Sequence, residues 1–190
     1  FAVRVQRSVH QMERLIGDLL DFAKIQGGTF AVVLAQGKPS EIVSPIVESM
    51  RPLAEAKHQK LFVDVPSTLP EVTCDQFRIG QVLSNLLGNA IKFTPEGGAV
   101  HIVATKIADG ILVSVSDTGP GIPKEQLPKV FDRLWQAHGT EHLGSGLGLA
   151  IAKGIKPLMG PIAIRIDIAP PDDRRRDCDN VQKAVIDALQ

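Results

Sequence analysis

Residues 85–93 have the sequence NLLGNAIKF, and this stretch decides the fold. Apolar side chains recur at helical spacing through it and ahead of it, so one long helix is predicted from a capping Asp75 to residue 93. On that helix Asn85, Asn89 and Lys92 fall at i, i+4 and i+7 and share one face. Two amides and an ammonium suit a metal-bound triphosphate, because an amide oxygen is a hard ligand for Mg²⁺ and lysine attracts phosphate. Taken alone, the pattern also fits a solvated helix face.

A second polar cluster, DTGPGIP at residues 117–123, directly follows an apolar strand that is predicted over residues 111–115. A carboxylate at a strand end, here Asp117, can accept a hydrogen bond from an adenine amino group. Gly119 and Gly121 let the backbone come close to a ring or a phosphate. A surface turn is the alternative for this cluster alone.

A third cluster, GSGLGLAI at residues 144–151, alternates glycine with other residues where a helix is predicted to begin. Free N–H groups at a helix N-terminus bind anions, so Gly144, Gly146 and Gly148 suit a phosphate cradle. No Lys-Ser/Thr pair follows, so the loop is not a P-loop.

In this order the three clusters resemble the N, G1 and G2 boxes of sensor histidine kinases, relatives of the gyrase and Hsp90 ATPases. The resemblance implies ATP and Mg²⁺ as cofactors, with Asn89 as the Mg²⁺ ligand and Asn85 and Lys92 near the phosphates. The ATP-hydrolysing members carry a Glu four residues before the metal-binding Asn, to activate water. This chain has Asn85 there, and an amide is no base, which favours phosphoryl transfer to a protein histidine over hydrolysis.

The resemblance also implies roles for the other two clusters. It implies Asp117 as the adenine acceptor, Gly119 and Gly121 as residues that shape its pocket, and the glycines of the third cluster as a hinged lid over ATP. Residues 130–133 resemble the F box between them, although Leu134 stands where a second aromatic residue is usual.

The first 28 residues are predicted to form one amphipathic helix that ends at Gly27-Gly28. Its apolar seam follows alternating steps of four and three residues. The seam consists of Val5, Val9, Met12, Ile16, Leu19 and Ala23. The helix resembles the second helix of the dimerisation and phosphoacceptor domain of these kinases. The alternative is an amphipathic helix that lies on its own domain.

The accepting histidine of the family belongs to the preceding helix, which this chain is expected to lack. His10 has no neighbouring acceptor motif and is interpreted as a bystander. The chain alone is therefore expected not to autophosphorylate, and its partners would be the phosphoacceptor helix and response regulator of a full-length kinase. Because half of the family's four-helix bundle would be missing, any homodimer is expected to be weak.

The predicted fold class is α+β, a two-layer α/β sandwich of the Bergerat type preceded by the long amphipathic helix. Residues 29–157 would form the ATP-binding domain, without its usual closing strands. Strands are predicted at residues 30–34 and 61–65, and residues 99–106 and 111–115 form a hairpin.

The last segment, residues 158–190, is predicted to be foreign to this domain. After an alternating strand at residues 162–168, the sequence RRRDCDNVQK resembles a segment of RusA-type Holliday junction resolvases, with a final helix expected over residues 180–189. Asp177, Asp179 and Lys183 match that family's functional positions, and paired carboxylates on Mg²⁺ suit phosphodiester cleavage. A solvated charged loop is the alternative.

The composition limits the remaining classes. With 21 basic and 21 acidic residues, the whole molecule is not expected to attract nucleic acid or an anionic membrane. No apolar run approaches the ~20 residues that span a bilayer. Cys74 and Cys178 match no metal-ligand spacing, so the protein is expected in a reducing cytoplasm. It would be either a free cytoplasmic protein or the cytoplasmic part of a membrane-anchored sensor.

Overall fold

The computed structural model describes residues 2–123, 125–132, 134–136, 146–155, 162–167 and 183–186. Four helices lie within these residues: α1 (Ala2–Gln26), α2 (Pro39–Glu55), α3 (Gln76–Phe93) and α4 (Gly148–Ile155). The strands are β1 (Ala35–Gly37), β2 (Lys60–Asp64), β3 (Val72–Cys74), β4 (Ala99–Ile107), β5 (Gly110–Asp117), β6 (Ile162–Asp167) and β7 (Lys183–Ile186). A short 3₁₀ turn spans Leu127–Lys129.

The main sheet has five strands in the order β2-β4-β5-β6-β7, and β1 and β3 form a separate antiparallel pair. In the main sheet β2 runs parallel to β4 and β5 runs parallel to β6, whereas β4–β5 and β6–β7 are antiparallel. Alternate residues of β4 and β5 are buried and face the apolar sides of α2, α3 and α4 in one continuous core. The predicted two-layer α+β sandwich is therefore confirmed.

The helix that carries the first polar cluster has the predicted bounds. The Asp75 carboxylate caps it by accepting a hydrogen bond of 3.0 Å from the backbone N–H of Arg78. Its eight buried residues keep helical spacing and pack into the core. They are Ile79, Val82, Leu83, Asn85, Leu86, Leu87, Ala90 and Ile91.

The strand that was predicted over residues 30–34 is wrong. Those residues have no regular structure, and the strand β1 begins after them, where it pairs with β3. Phe30 packs against the core, but Val33 and Leu34 are mostly exposed. An apolar run does not form a strand of a sheet unless another strand pairs with it. The strand β3 pairs with β1 instead, and β3 has only three residues, too few to be recognised from the sequence.

The end of the chain differs from its sequence-based prediction in two ways. The strand β6 is confirmed, but it pairs in parallel with β5 and so extends the main sheet beyond the predicted domain limit at residue 157. Residues 183–186 form the strand β7 beside β6, so the helix predicted over residues 180–189 is wrong there. Ile162 is buried, because an alternating strand supplies an apolar face that the sheet can cover.

The C-terminal part of the first helix contacts its own domain, whereas several of the described apolar residues of the helix are exposed. Asp21 bonds to α3, and the Ile25 side chain lies so close to Gly154 of α4 that a Cβ there would be 2.8 Å from it. The seam residues Ile16 and Leu19 are 60% and 57% exposed. Among the described helices, including this one, none is both long and apolar enough to cross a membrane.

Candidate nucleotide-binding site

The face of α3 that the sequence singles out lies at the edge of the core. Asn85 is buried, whereas Asn89 and Lys92 are half-buried. The Lys92 ammonium lies 4.3 Å from the centre of the Phe93 ring. Helical geometry thus presents two amides and a cation along one side of the helix, next to its C-terminal end.

Asp117 stands at the end of β5, beside the C-terminal end of α3. Its Oδ1 accepts a hydrogen bond of 2.7 Å from the backbone N–H of Gly119. Burial raises the pKa of the Asp117 carboxyl above its usual value, and the bond from Gly119 partly opposes that rise. A carboxylate has two oxygens, so this side chain can accept a further donor such as an amino group.

The turn after β5 touches the turn after α3 at close range. A Cβ at Gly119 would lie 3.1 Å from the Phe93 carbonyl oxygen, so the two backbones approach without room for a side chain. Thr118 ties the turn after β5 to the start of β4. Its hydroxyl accepts from the N–H of Ala99 at 2.9 Å, and its own N–H donates to the Ala99 carbonyl at 3.0 Å. Gly121 follows with a φ of +72°, which favours glycine.

The start of α4 reaches the other end of the same helix face. A Cβ at Gly148 would lie 3.2 Å from the side-chain amide carbon of Asn85, so the first residue of α4 packs directly on α3. Gly146 has a φ of +67°, and its carbonyl accepts from the N–H of Leu134 at 3.1 Å. Two of the three predicted lid glycines therefore lie between the segment before the lid and α3.

The structure brings several predicted site residues together and leaves others outside the described part of the chain. Asn85 meets Gly148, and Asp117 and Gly119 meet the end of α3. Gly144, Asp177 and Asp179 lie outside the described residues. Lys183 lies in β7, in register with Asp167 of β6.

Sequence reasoning missed two side chains at the base of this region. Thr94 is buried immediately after α3, and Lys57 binds the carbonyl groups at the end of that helix. No local pattern distinguishes Lys57, because its partners lie 34 to 37 residues further along the chain.

The donor groups of this region fit a metal ion that takes only some of its ligands from the protein. Within the described ranges, no group of three or more His, Cys, Asp or Glu residues could hold a metal ion. Mg²⁺ commonly keeps its waters and binds one or two protein ligands together with substrate phosphates, so a single amide oxygen on α3 is a sufficient protein contribution.

Comparison with known proteins agrees with this geometry. The family of histidine kinase-, DNA gyrase B- and HSP90-like ATPases matches residues 74–180. The chain belongs to this ATPase family. Within it, the domain is of the ATP-binding catalytic type found in sensor histidine kinases, as its relatives indicate.

Two curated relatives of this ATPase-family chain are a sensory kinase and a sensor protein. It is 31% identical over 152 residues to the adaptive-response sensory kinase SasA of Synechococcus sp. (strain JA-3-3Ab), covering 79% of this chain and 40% of that protein. It is 33% identical over 162 residues to the alginate biosynthesis sensor protein KinB of Pseudomonas aeruginosa, covering 85% of this chain and 27% of that protein. The chain therefore spans less than half the length of these relatives.

A solved structure has a similar fold. Full-length ShkA, crystallised in complex with AMPPNP, superposes with a TM-score of 0.71 at 32% identity, covering 81% of this chain and 32% of that one. AMPPNP is an ATP analogue, and it is ShkA that binds it in that crystal structure.

Proposed function

We propose that this chain is the ATP-binding catalytic part of a sensor histidine kinase that transfers the γ-phosphoryl group of Mg-ATP to a histidine of a protein. The observation that carries the proposal is the arrangement along α3. An acceptor carboxylate, Asp117, lies at the end of the helix, and the glycine-rich start of α4 meets Asn85 about 12 Å away along the axis, from eight residues at 1.5 Å each. A base can therefore bind beside the end of α3 while a triphosphate extends along its polar face toward Asn85.

Each residue then has a chemical role. Asp117 accepts a hydrogen bond from the adenine amino group, and Gly119 and Gly121 let the base lie against the backbone. Asn85 and Lys92 bind the phosphates, and Asn89 supplies an oxygen ligand to Mg²⁺. Bound Mg²⁺ supplies charge neutralisation for the transferring phosphoryl group.

The lid and the choice of acceptor complete the proposal. We assign Gly144, Gly146 and Gly148 to a hinged lid over ATP, and the free N–H groups at the start of α4 suit the phosphates. Asn85 offers no general base for water, which favours transfer to a protein. The acceptor is a histidine on the phosphoacceptor helix of a full-length kinase, with a response regulator as the next acceptor and self-association through the α1 seam.

Calorimetric titration with AMPPNP and Mg²⁺ tests nucleotide binding. We expect saturable binding, weakened in Lys92→Met because a phosphate-binding cation is lost, and unchanged in the control Lys106→Met. Lys106 is exposed near the end of β4, so its substitution removes the same charge away from the candidate site. A folded wild-type protein that binds nothing at millimolar concentrations contradicts the proposal.

A second measurement separates transfer from hydrolysis. With ATP, Mg²⁺ and no acceptor, we expect phosphate release near the uncatalysed rate, because the chain has no base at position 85. Multiple turnovers of ATP hydrolysis that disappear in Asn85→Ala would instead make this an ATPase and overturn the transfer step.

We also infer that residues 162–167 complete the ATP-binding domain and that the domain extends past residue 157. The pairing of β6 with β5 and the family match through residue 180 support this inference.

The RusA-like nuclease activity of Asp177 and Asp179 stays a prediction from the sequence. Incubation with a four-way DNA junction and Mg²⁺ decides it: intact junctions end the nuclease prediction, and cleavage lost in Asp177→Asn would establish it.

A further inference from the structure

The C-terminal end of α3 is held by two side chains from the turn between α2 and β2. The Lys57 ammonium donates to the carbonyl oxygens of Ile91, Lys92 and Thr94 at 2.9, 2.9 and 2.6 Å. The Gln59 amide, which is buried, donates to Ile91 and Thr94 at 3.0 and 2.7 Å. We call this pair of side chains the α3 clamp.

The α3 clamp satisfies groups that a helix leaves open. The last four carbonyl groups of an α-helix have no partner within the helix, and they carry the negative end of its dipole. An ammonium has three N–H donors, and Lys57 directs them at three carbonyl groups. Charge-assisted bonds of this kind are stronger than neutral ones, so they set where the helix ends and how the chain leaves it.

The backbone of the same turn is also tied to the loop after α3. The N–H of Gly97 donates to the Lys57 carbonyl at 3.0 Å, and the N–H of Lys60 donates to the Gly98 carbonyl at 2.8 Å. The segment from residue 94 to residue 98 is therefore fixed from one side by the turn at residues 56–60. Its geometry depends on that turn as well as on α3.

The other side of this segment meets the candidate adenine acceptor. Phe93 presents its carbonyl oxygen 3.1 Å from where a Cβ of Gly119 would lie, and Gly119 donates to Asp117. A Cβ at Gly98 would lie 2.9 Å from the Thr118 hydroxyl oxygen, so the two turns interlock without spare volume. A shift in the end of α3 must therefore shift Asp117 and Gly119.

We propose that Lys57 is a positioning residue for recognition of the nucleotide base, acting through the end of α3 and without touching the nucleotide. The proposal rests on the proposed function, because it takes Asp117 as the adenine acceptor. Lys57 fixes the turn against which Asp117 and Gly119 pack, and Gln59 supports the same carbonyl groups. Loss of the clamp moves the acceptor, whereas Asn85, eight residues before the end of α3, keeps its place.

A structural cap and a positioning residue differ in what they do to base selectivity. A cap that only stabilises the fold leaves the preference between two bases unchanged in the molecules that remain folded. A residue that positions Asp117 changes the preference between ATP and inosine triphosphate, because hypoxanthine, the base of inosine triphosphate, has a carbonyl oxygen where adenine has the amino donor. The ratio of the two dissociation constants therefore isolates the role of Lys57.

The experiment compares this ratio in the wild type, Lys57→Met, Lys57→Arg and the control Lys60→Met, by calorimetry with Mg²⁺. Lys60 lies three residues away and is exposed, so its substitution removes the same charge without touching the clamp. We expect Lys57→Met to lower the preference for ATP at least fivefold. Lys57→Arg should restore most of it, because a guanidinium can still donate to carbonyl groups, and Lys60→Met should not change it.

An unchanged ratio in folded Lys57→Met overturns the positioning role and leaves Lys57 as a cap. If Lys57→Met does not fold, Gln59→Met replaces it, with a smaller loss of the same ratio expected and an unchanged ratio again counting against the proposal. A wild-type protein that binds ATP without preferring it over inosine triphosphate also overturns it. Absence of all nucleotide binding in the folded wild type is different, because it removes the proposed function itself.

Discussion

Arg78 of α3 donates a hydrogen bond of 2.9 Å to Asp21 of α1, and the two side chains are only 17% and 15% exposed. Gln81 donates to the same carboxylate oxygen at 2.8 Å, and the Arg78 guanidinium lies 4.3 Å from the centre of the Phe30 ring. Because α3 carries the candidate phosphate-binding face, this ion pair ties the first helix directly to the element that would bind the nucleotide.

Substitution of Arg78 by alanine should destabilise the protein markedly. The variant removes the charged partner of the mostly buried Asp21 carboxylate, which then keeps the hydrogen bond from Gln81. Loss of one partner of a buried ion pair lowers the free energy of unfolding by roughly 3–5 kcal/mol. Residual exposure of the pair should reduce this to about 2–3 kcal/mol, measured by urea unfolding.

Arg51→Ala is the matched control for Arg78→Ala. It breaks a 3.0 Å pair with Glu48 on the surface of α2, where solvent screens the charges, so little change is expected. Equal losses in the two variants would show that the contact between α1 and α3 contributes no more than a surface pair. The double variant Asp21→Leu with Arg78→Met should recover much of the loss, since neither charge then stays buried alone.

The parts of the fold and site that depend on local sequence could be predicted. Asp75 caps α3 and its apolar residues repeat at helical spacing, so the helix, its face and its end follow from neighbouring residues alone. The hairpin of β4 and β5 turns at residues 108–109 and carries alternating buried residues, which again is local information. These two elements hold Asn85, Asn89, Lys92 and Asp117.

The rest depends on contacts between distant residues. Lys57 and Arg78 have ordinary neighbours in sequence, and their roles come from partners 34 to 37 and 57 residues away. The strand β6 could be predicted from its alternation, but its place beside β5 could not, because pairing is a property of the whole sheet. For the same reason the apolar run at residues 30–34 predicts a strand, although these residues have no partner strand in the structure.

Asp117→Asn should weaken nucleotide binding and stabilise the protein that has no nucleotide. The amide keeps one acceptor oxygen, for Gly119, and replaces the other by an NH₂ group, which donates and so cannot accept from the adenine amino group. An unsatisfied buried group costs about 1–3 kcal/mol, which lowers affinity about 5- to 150-fold. Stability should rise because the variant no longer buries a charge, and calorimetry with thermal unfolding measures both effects.

The pH dependence of the same group has a definite sign. Because burial raises the pKa of Asp117, the folded protein holds this proton more tightly than the unfolded chain does. The stabilisation that comes from the protonated Asp117 carboxyl is therefore lost as the pH rises from the ordinary aspartate pKa through the raised one. In Asp117→Asn, this pH-dependent loss of stability should be absent. The control Asp109→Asn, in the exposed β4–β5 turn, should leave the profile and the affinity unchanged. An identical profile in Asp117→Asn and the wild type would contradict the assignment.

Gly146→Ala should disturb the lid segment at its junction with α4. Gly146 has a φ of +67°, and a Cβ there would lie 2.7 Å from the backbone carbon of Leu134. The left-handed conformation costs other residues about 1–2 kcal/mol, and the clash adds to it. We expect a lower melting temperature and weaker AMPPNP binding. In Gly17→Ala, the added Cβ in α1 would meet no atom within 4 Å beyond its chain neighbours and its own helix backbone, so this variant should stabilise the protein by about 0.5–1 kcal/mol. Similar effects in both variants would refute the clash.

Ile16→Asp should abolish any self-association through the α1 seam. Ile16 and Leu19 are 60% and 57% exposed, whereas Asp21, nearer the end of the helix, bonds to α3. Burial of an exposed isoleucine in a dimer contributes through about 25 cal/mol per Å² of apolar area, and a carboxylate at its centre reverses that gain. Sedimentation should show a concentration-dependent dimer in the wild type and a monomer in Ile16→Asp. Val33→Asp is the matched control, because Val33 is 74% exposed outside the seam and should leave the association unchanged. A tight dimer that survives Ile16→Asp but not Val33→Asp would place the interface on the exposed segment before β1, and the seam would then have no role in self-association.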